Sequence, residues 1–124
     1  MTSGEALQQL VREGMAGRAT GAQVVEALLA TELVVPSGAP VGPDFAGFVP
    51  VLYDRDGTQM LAVFTTFDRV GQVATLARYA LTIVGRELLR IMPPGAGLVL
   101  DPGHSEGFEL LPDAIARLRA TPEA

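Results

Sequence analysis

FVPVLYDRDGTQMLAVFTT, residues 48–66, sets two apolar runs on either side of Asp54-Arg55-Asp56-Gly57. Gly57 can take the positive φ that a tight chain reversal needs, and the flanks are rich in residues that suit strands. The stretch predicts a β-hairpin over 48–65, with Asp54, Asp56 and Gly57 as its turn residues. Pro50 cannot donate a ladder hydrogen bond, so the first arm needs an edge or a bulge there. Asp54 and Asp56 also resemble the start of a calcium loop, but Thr58, Met60 and the lack of an acid at the loop's last position break that pattern.

Downstream, RYALTIV at 78–84 alternates Tyr79, Leu81 and Ile83 with Arg78, Ala80 and Thr82, a strand pattern. A single helix over 69–92 competes with it, because Val73, Leu76, Ala77 and Ala80 also fit helical spacing. Gly85 weakens a continuous helix by roughly 1 kcal/mol relative to Ala, which favours the strand followed by a helix over 85–92 and leaves the long helix as the alternative. PPGAG at 93–97 stops that helix, and GLVLDP reads as a buried strand. A last helix over 112–120 has Pro112 near its start, Asp113 in its first turn and Arg117 and Arg119 in its last; Leu111, Ala114, Ile115 and Leu118 are expected to face inward.

Upstream, Leu7, Leu10, Val11 and Met15 share one face of a helix starting near Ser3. Thr20 and Gln23 form a capping box ahead of Val24, Val25, Leu28 and Leu29, completing an N-terminal helical pair. ELVVP at 32–36 reads as a short strand, and SGAPVGPDFAG at 37–47 as a turn-rich loop. Helices and strands mix without a regular βαβ alternation, so the expected class is α+β, with a mostly antiparallel sheet packed by the helices.

The chain has 124 residues, enough for a single domain. Its 14 acidic residues outnumber 9 basic ones, all of them Arg and spread along the chain, for a net charge of −5. Phosphate backbones and anionic membrane surfaces are therefore not expected as partners. The absence of Cys excludes disulfides and thiolate chemistry, the N-terminal stretch lacks the pattern of a secretory signal, and no apolar run approaches the ~20 residues of a membrane helix. The expected compartment is the cytoplasm. Hydrophobic residues make up 48% and charged ones 19%, a low charge density that leaves apolar surface for a protein partner or a second copy.

Four pieces stand in a recognisable order: the helical pair leading to LVVP, the hairpin ending in LAVFTTFDRV, GRELLRIMPPGAGLVLDPG, and FELLPDAIARL. This order resembles the N-terminal domain family of SseB, the enhanced serine sensitivity protein, over about residues 24–119, with 1–19 as an N-terminal helical extension of one domain spanning 1–124. VFTTFDRV at 63–70 and GLVLDPG at 97–103 carry the resemblance most specifically. The family usually has Asn-Pro-Gly where this chain has Asp101-Pro102-Gly103. The resemblance implies an α+β domain without an established enzymatic activity, and no catalytic residues carry over from it.

His104 is the only histidine, and Asp101, Ser105 and Glu106 surround it in sequence, a candidate polar site. A hydrolase would need His104 as base, Asp101 or Glu106 to orient it, and Ser105 as nucleophile, yet neighbours in a turn rarely point at one another. Asp101, His104 and Glu106 lack the second His of the usual zinc or iron motifs, and the glycines at 14, 17 and 21 precede no strand-to-helix turn, so neither metal nor cofactor is expected. Thr65, Thr66 and Asp68 are expected to cap a short helix near Phe67, with Pro102 and Gly103 as turn residues. Phe45, Phe48 and Phe108 are the candidate interface, as loop anchors for a partner or as plugs into the domain's own core. The expected function is a non-enzymatic protein-interaction or regulatory module that self-associates. A small-molecule sensor with a pocket between helical pair and sheet is the alternative, and an enzyme centred on His104 stands behind both.

Overall fold

The computed structural model describes residues 3–71 and 78–120. In chain order the elements are α1 (Ser3–Met15), α2 (Gly21–Ala30), β1 (Glu32–Ser37), β2 (Leu52–Arg55), β3 (Thr58–Val63), β4 (Tyr79–Val84), α3 (Gly85–Ile91), β5 (Gly97–Leu100), β6 (Phe108–Leu110) and α4 (Pro112–Ala120). Single 3-10 turns occupy Pro43–Phe45 and Phe67–Arg69.

The hairpin forms where its turn chemistry places it. Asp56 and Gly57 both have positive φ, 52° and 88°, the pair of values a type I′ turn requires, and the Gly57 amide donates to Asp54 Oδ1 at 3.0 Å. Leu52 stands opposite Leu61 and Arg55 opposite Thr58. Pro50 lies outside the ladder, meeting Ser37 in an isolated bridge, and β2 is an edge strand.

Two sheets result, β1-β4 and β2-β3-β5-β6. All pairings are antiparallel except β3 with β5, which run parallel with Leu61 beside Leu98. The sheets join where Val34 and Phe64 exchange reciprocal backbone hydrogen bonds of 2.8 Å. The class is α+β.

Alternation along β3 explains its unbroken apolar sequence. Leu61 and Val63 face the main core with Leu33, Val35, Leu98 and Leu100, under Leu7 and Val11 of α1, Leu28 of α2 and Leu88 of α3. Ala62 and then Phe64 point the opposite way, into a smaller cluster with Val34 and Val70. A strand buried on both faces reads as a continuous hydrophobic run rather than an alternating one.

Residues 79–84 form a strand and 85–91 a helix, so the single helix over 69–92 is not formed; Val73, Leu76 and Ala77 lie outside the described residues. The chain passes from β4 into α3 without a loop because Gly85 fits where no side chain can. Its amide donates to the Thr31 carbonyl at 2.9 Å, and a Cβ on it would stand 2.1 Å from the Leu28 carbonyl oxygen. Two inward expectations fail at helix ends: Met15, the last residue of α1, is 63% exposed, and Leu111, between β6 and the first residue of α4, is 59% exposed, while Ile115 one turn into α4 is buried.

Gly85→Ala is expected to cost about 1–3 kcal/mol, since the new methyl must displace backbone. Gly21→Ala, at the start of α2 with nothing within 4 Å of the added Cβ, is expected to be neutral or stabilising by about 0.4–1 kcal/mol. Urea unfolding of the two variants beside the parent checks the contrast.

Candidate functional site

The LVL of β5 delivers Asp101 to the sheet's end, 1% exposed, with its amide donating to the Val63 carbonyl at 2.8 Å. Its φ of 51° is left-handed, a conformation Asp tolerates better than most residues, and it turns the carboxylate back under β3. Oδ1 accepts the Thr65 amide at 2.9 Å, and Oδ2 accepts the Thr65 hydroxyl at 2.9 Å and Arg69 Nη1 at 3.1 Å. The other arm of the Arg69 guanidinium donates to Glu106 Oε1 at 2.9 Å, and Glu106 Oε2 accepts Arg12 Nη1 of α1 at 3.0 Å. Gln8 of α1 donates to the Thr65 hydroxyl. One chain of polar contacts thus runs from β5 through the turn after β3 to α1.

This arrangement sorts the polar residues that the sequence places around His104. Asp101 and Glu106 converge, but on Arg69 rather than on the imidazole. His104 is exposed, its amide donates to the Asp101 carbonyl, and its Nε2 lies 3.0 Å from the Arg69 carbonyl; a carbonyl only accepts, so Nε2–H is the donor. Ser105 is exposed on the same turn. Gly103 takes a φ of 85° there, next to Pro102. Among the described residues no group of three or more His, Asp or Glu could hold a metal ion.

The expected cap is corrected in detail. Thr66 stands at the N-cap of the 3-10 turn without a side-chain capping bond, and Thr65 spends its hydroxyl on Asp101 instead. A buried carboxylate is the stronger attractor for a neighbouring hydroxyl. Asp68 is hydrogen-bonded to Thr66, which holds its carboxyl below the ordinary range. Arg69, Arg12 and Gln8 were not singled out in the sequence. Arg69 stands inside the FTTFDRV signature, the only signal that could have found it, whereas Gln8 and Arg12 reach the junction only because α1 folds over it.

Charge on the junction is mutually reinforced. Burial works against the Arg69 cation, but its hydrogen bond to Glu106 and the nearby Asp101 carboxylate outweigh that and raise its pKa. Hydrogen bonds from Arg69 and then Arg12 hold the Glu106 carboxyl below its ordinary value, against a smaller opposing effect of burial.

Phe45, Phe48 and Phe108 are partly buried and packed against the main core, so each covers its own domain. Exposed apolar side chains are scattered, with Phe67 at 64% and Val49 at 50%, and β4 contributes one on each of its faces. Tyr79 is 45% and Val84 37% exposed, with Ala80 and Thr82 exposed between them. Antiparallel ladders alternate bonded and non-bonded pairs. The bond from Gly85 to Thr31 fixes the phase, making Leu33–Ile83, Val35–Leu81 and Ser37–Tyr79 the bonded pairs. On β1, Val34 accordingly points away from β4, towards Phe64. On β4, Ala80, Thr82 and Val84 point their N–H and C=O groups outward, and among the described residues no strand pairs with them. YALTIV carries neither charge nor proline, whereas β2 carries Asp54 and Arg55, and β6 is only three residues long and carries Glu109. Charge, proline and short length are the usual protections of an edge strand, and β4 has none of them.

A family model described as SseB protein N-terminal domain matches residues 5–117. The chain belongs to the SseB N-terminal domain family. The match takes in most of α1, which the sequence reading sets apart in an extension over 1–19; Leu7 and Val11 of that helix are buried in the main core. Comparison with curated proteins and with solved structures gave no match. The Asp101 junction and β4 both lie within the span that defines family membership.

Asp101→Ala strands the Thr65 amide and the Arg69 cation and is expected to cost about 3 kcal/mol or more. Asp101→Asn keeps the Oδ1 acceptor but turns a donor towards Arg69, so it should fall between the parent and the alanine variant in chemical denaturation. Because the Glu106 pKa is lower in the folded protein than its ordinary 4.5, its stabilisation is present above that value and is lost as pH falls through the folded pKa. Glu106→Gln should therefore melt below the parent at neutral pH, with the gap closing in acid; a gap independent of pH would contradict the ion-pair account.

Proposed function

We propose that this SseB-family domain is a non-enzymatic protein-interaction module of the cytoplasm that adds an extended strand of a protein partner, or of a second copy, to the open edge of β4. The observation that carries the reading is the run of Ala80, Thr82 and Val84, whose backbone groups face outward on a strand without charges. Strand addition supplies main-chain hydrogen bonds for affinity, each worth about 0.5–1.5 kcal/mol net, while the alternating side chains supply selectivity. Support also comes from the polar junction, where Asp101 is occupied with Thr65 and Arg69 and His104 is tied to a carbonyl, an arrangement suited to holding the fold.

A small-molecule sensor is the second reading, favoured by a groove of about 390 Å³ that lies beside the hairpin and not, as expected, between the helical pair and the sheet. There Tyr53, Met60, Val99 and Pro102 lie with Arg55 and Glu109, so apolar and charged groups share one concave surface.

Thr82→Pro tests the leading reading because it removes only an outward N–H and leaves the ladder to β1 unbroken. Native mass spectrometry of protein taken from its own host is expected to show a stoichiometric protein partner or a dimer for the parent and neither for Thr82→Pro, with melting temperatures within a few degrees. A parent that runs as a monomer carrying a small-molecule mass would sink strand addition in favour of the groove.

A further inference from the structure

We propose that the strand completing the β4 edge is β4 of a second copy, paired antiparallel about a two-fold axis through Thr82. This inference rests on the strand-addition reading above. The outward residues are spaced by two and are symmetric about Thr82, so one antiparallel register sets Thr82 opposite Thr82, Ala80 opposite Val84 and Val84 opposite Ala80. All three are bonded pairs, and each exchanges two hydrogen bonds. Every outward donor then meets an outward acceptor of the other copy. A slip of one residue faces outward groups of one strand with inward groups of the other, and a slip of two leaves one of the three pairs beyond the strand's end.

The side chains agree with the register. A Thr–Thr cross-strand pair is favourable, Ala80 leaves room for Val84, and no like charges meet within YALTIV. Just beyond the strand, the same register sets Arg78 of one copy opposite Arg86 of the other, a like-charge contact at each end that weakens the pairing. Arg86, at the start of α3, already has an interaction within its own chain. The product is a continuous four-stranded sheet, β1-β4-β4-β1, across the dimer. An edge contact of this kind is small, and each copy carries a net charge of −5, so the dimer should be weak and should tighten as salt screens the repulsion.

The lack of cysteine makes a site-specific test clean. Bonded antiparallel partners have Cα atoms about 5.5 Å apart, within disulfide reach. Under mild oxidation the full chain carrying Thr82→Cys is expected to cross-link to a dimer. Ala80→Cys alone should not, while Ala80→Cys with Val84→Cys should, and Ser105→Cys on the distant turn serves as the control for random collision. Sedimentation equilibrium of the cysteine-free parent should show a concentration-dependent dimer that Thr82→Pro abolishes. A dimer that survives Thr82→Pro and does not cross-link through residue 82 would overturn both this register and the β4 edge as the contact. A strictly monomeric parent whose Ala80, Thr82 and Val84 amides become protected from hydrogen exchange by another protein would overturn the second copy and leave strand addition standing. A monomer whose β4 amides no protein protects would overturn both.

Discussion

The carboxylate of Asp101 sits where four parts of the chain must meet, and its three hydrogen bonds decide how they meet. It closes the end of β5 against β3 through Thr65, holds the 3-10 turn through Arg69, and through Arg69 and Glu106 reaches Arg12 on the first helix. A buried carboxylate with three donors around it is tolerated because those donors replace the water it lost. Removing one partner from such a set is costly out of proportion to any single bond. The junction therefore acts as a clasp between the sheet and the N-terminal helical layer, and the left-handed backbone of Asp101 is part of how the clasp closes.

Two close approaches work in the same direction at other points. At Gly4 a Cβ would stand 2.1 Å from the Thr65 carbonyl oxygen, so α1 is seated directly on the segment that Asp101 holds. At Gly85 the turn into α3 lies equally near the Leu28 carbonyl of α2. The helices are thus fixed on the sheets by backbone proximity as well as by the leucine-rich core beneath them. A sheet held this firmly can present a strand edge without that strand fraying. This links the structural clasp to the proposed use of β4: rigidity in one place makes an unprotected edge usable in another.

β1 and β4 also show how one pairing sets the availability of the next. Because Val34 exchanges its bonds with Phe64, β1 is engaged on both sides at its centre, and the phase of its ladder leaves the outward groups of β4 as the open ones. Pro36, whose missing N–H would fall on that same outer side of β1, costs no ladder bond. Of the two readings open for the phenylalanines, anchors for a partner or plugs into the domain's own core, their packing against the main core matches the second. Large apolar loop residues find the nearest concave apolar surface, and here that surface is intramolecular.

Local chemistry determined a good deal by itself. The Asp-Gly turn of the hairpin, the Thr20 capping box, and the Pro and Gly stops between β-branched runs each act over a few residues, so they could be read without knowing any distant contact. The SseB-like order of segments was legible for the same reason. What only the tertiary structure decided was which partners those segments found. Whether 79–84 would be strand or helix turned on a ladder with β1, some fifty residues earlier in the chain, and on a glycine pressed against α2. Whether Asp101 belonged to His104 or to Arg69 turned on where β3 ends beside β5. Apolar spacing likewise could not show that Met15 and Leu111 are exposed, or that no described strand pairs with the outer side of β4, because burial and edge position belong to the assembled sheets. Sequence spacing specifies which face a residue occupies; only packing specifies what, if anything, lies against it.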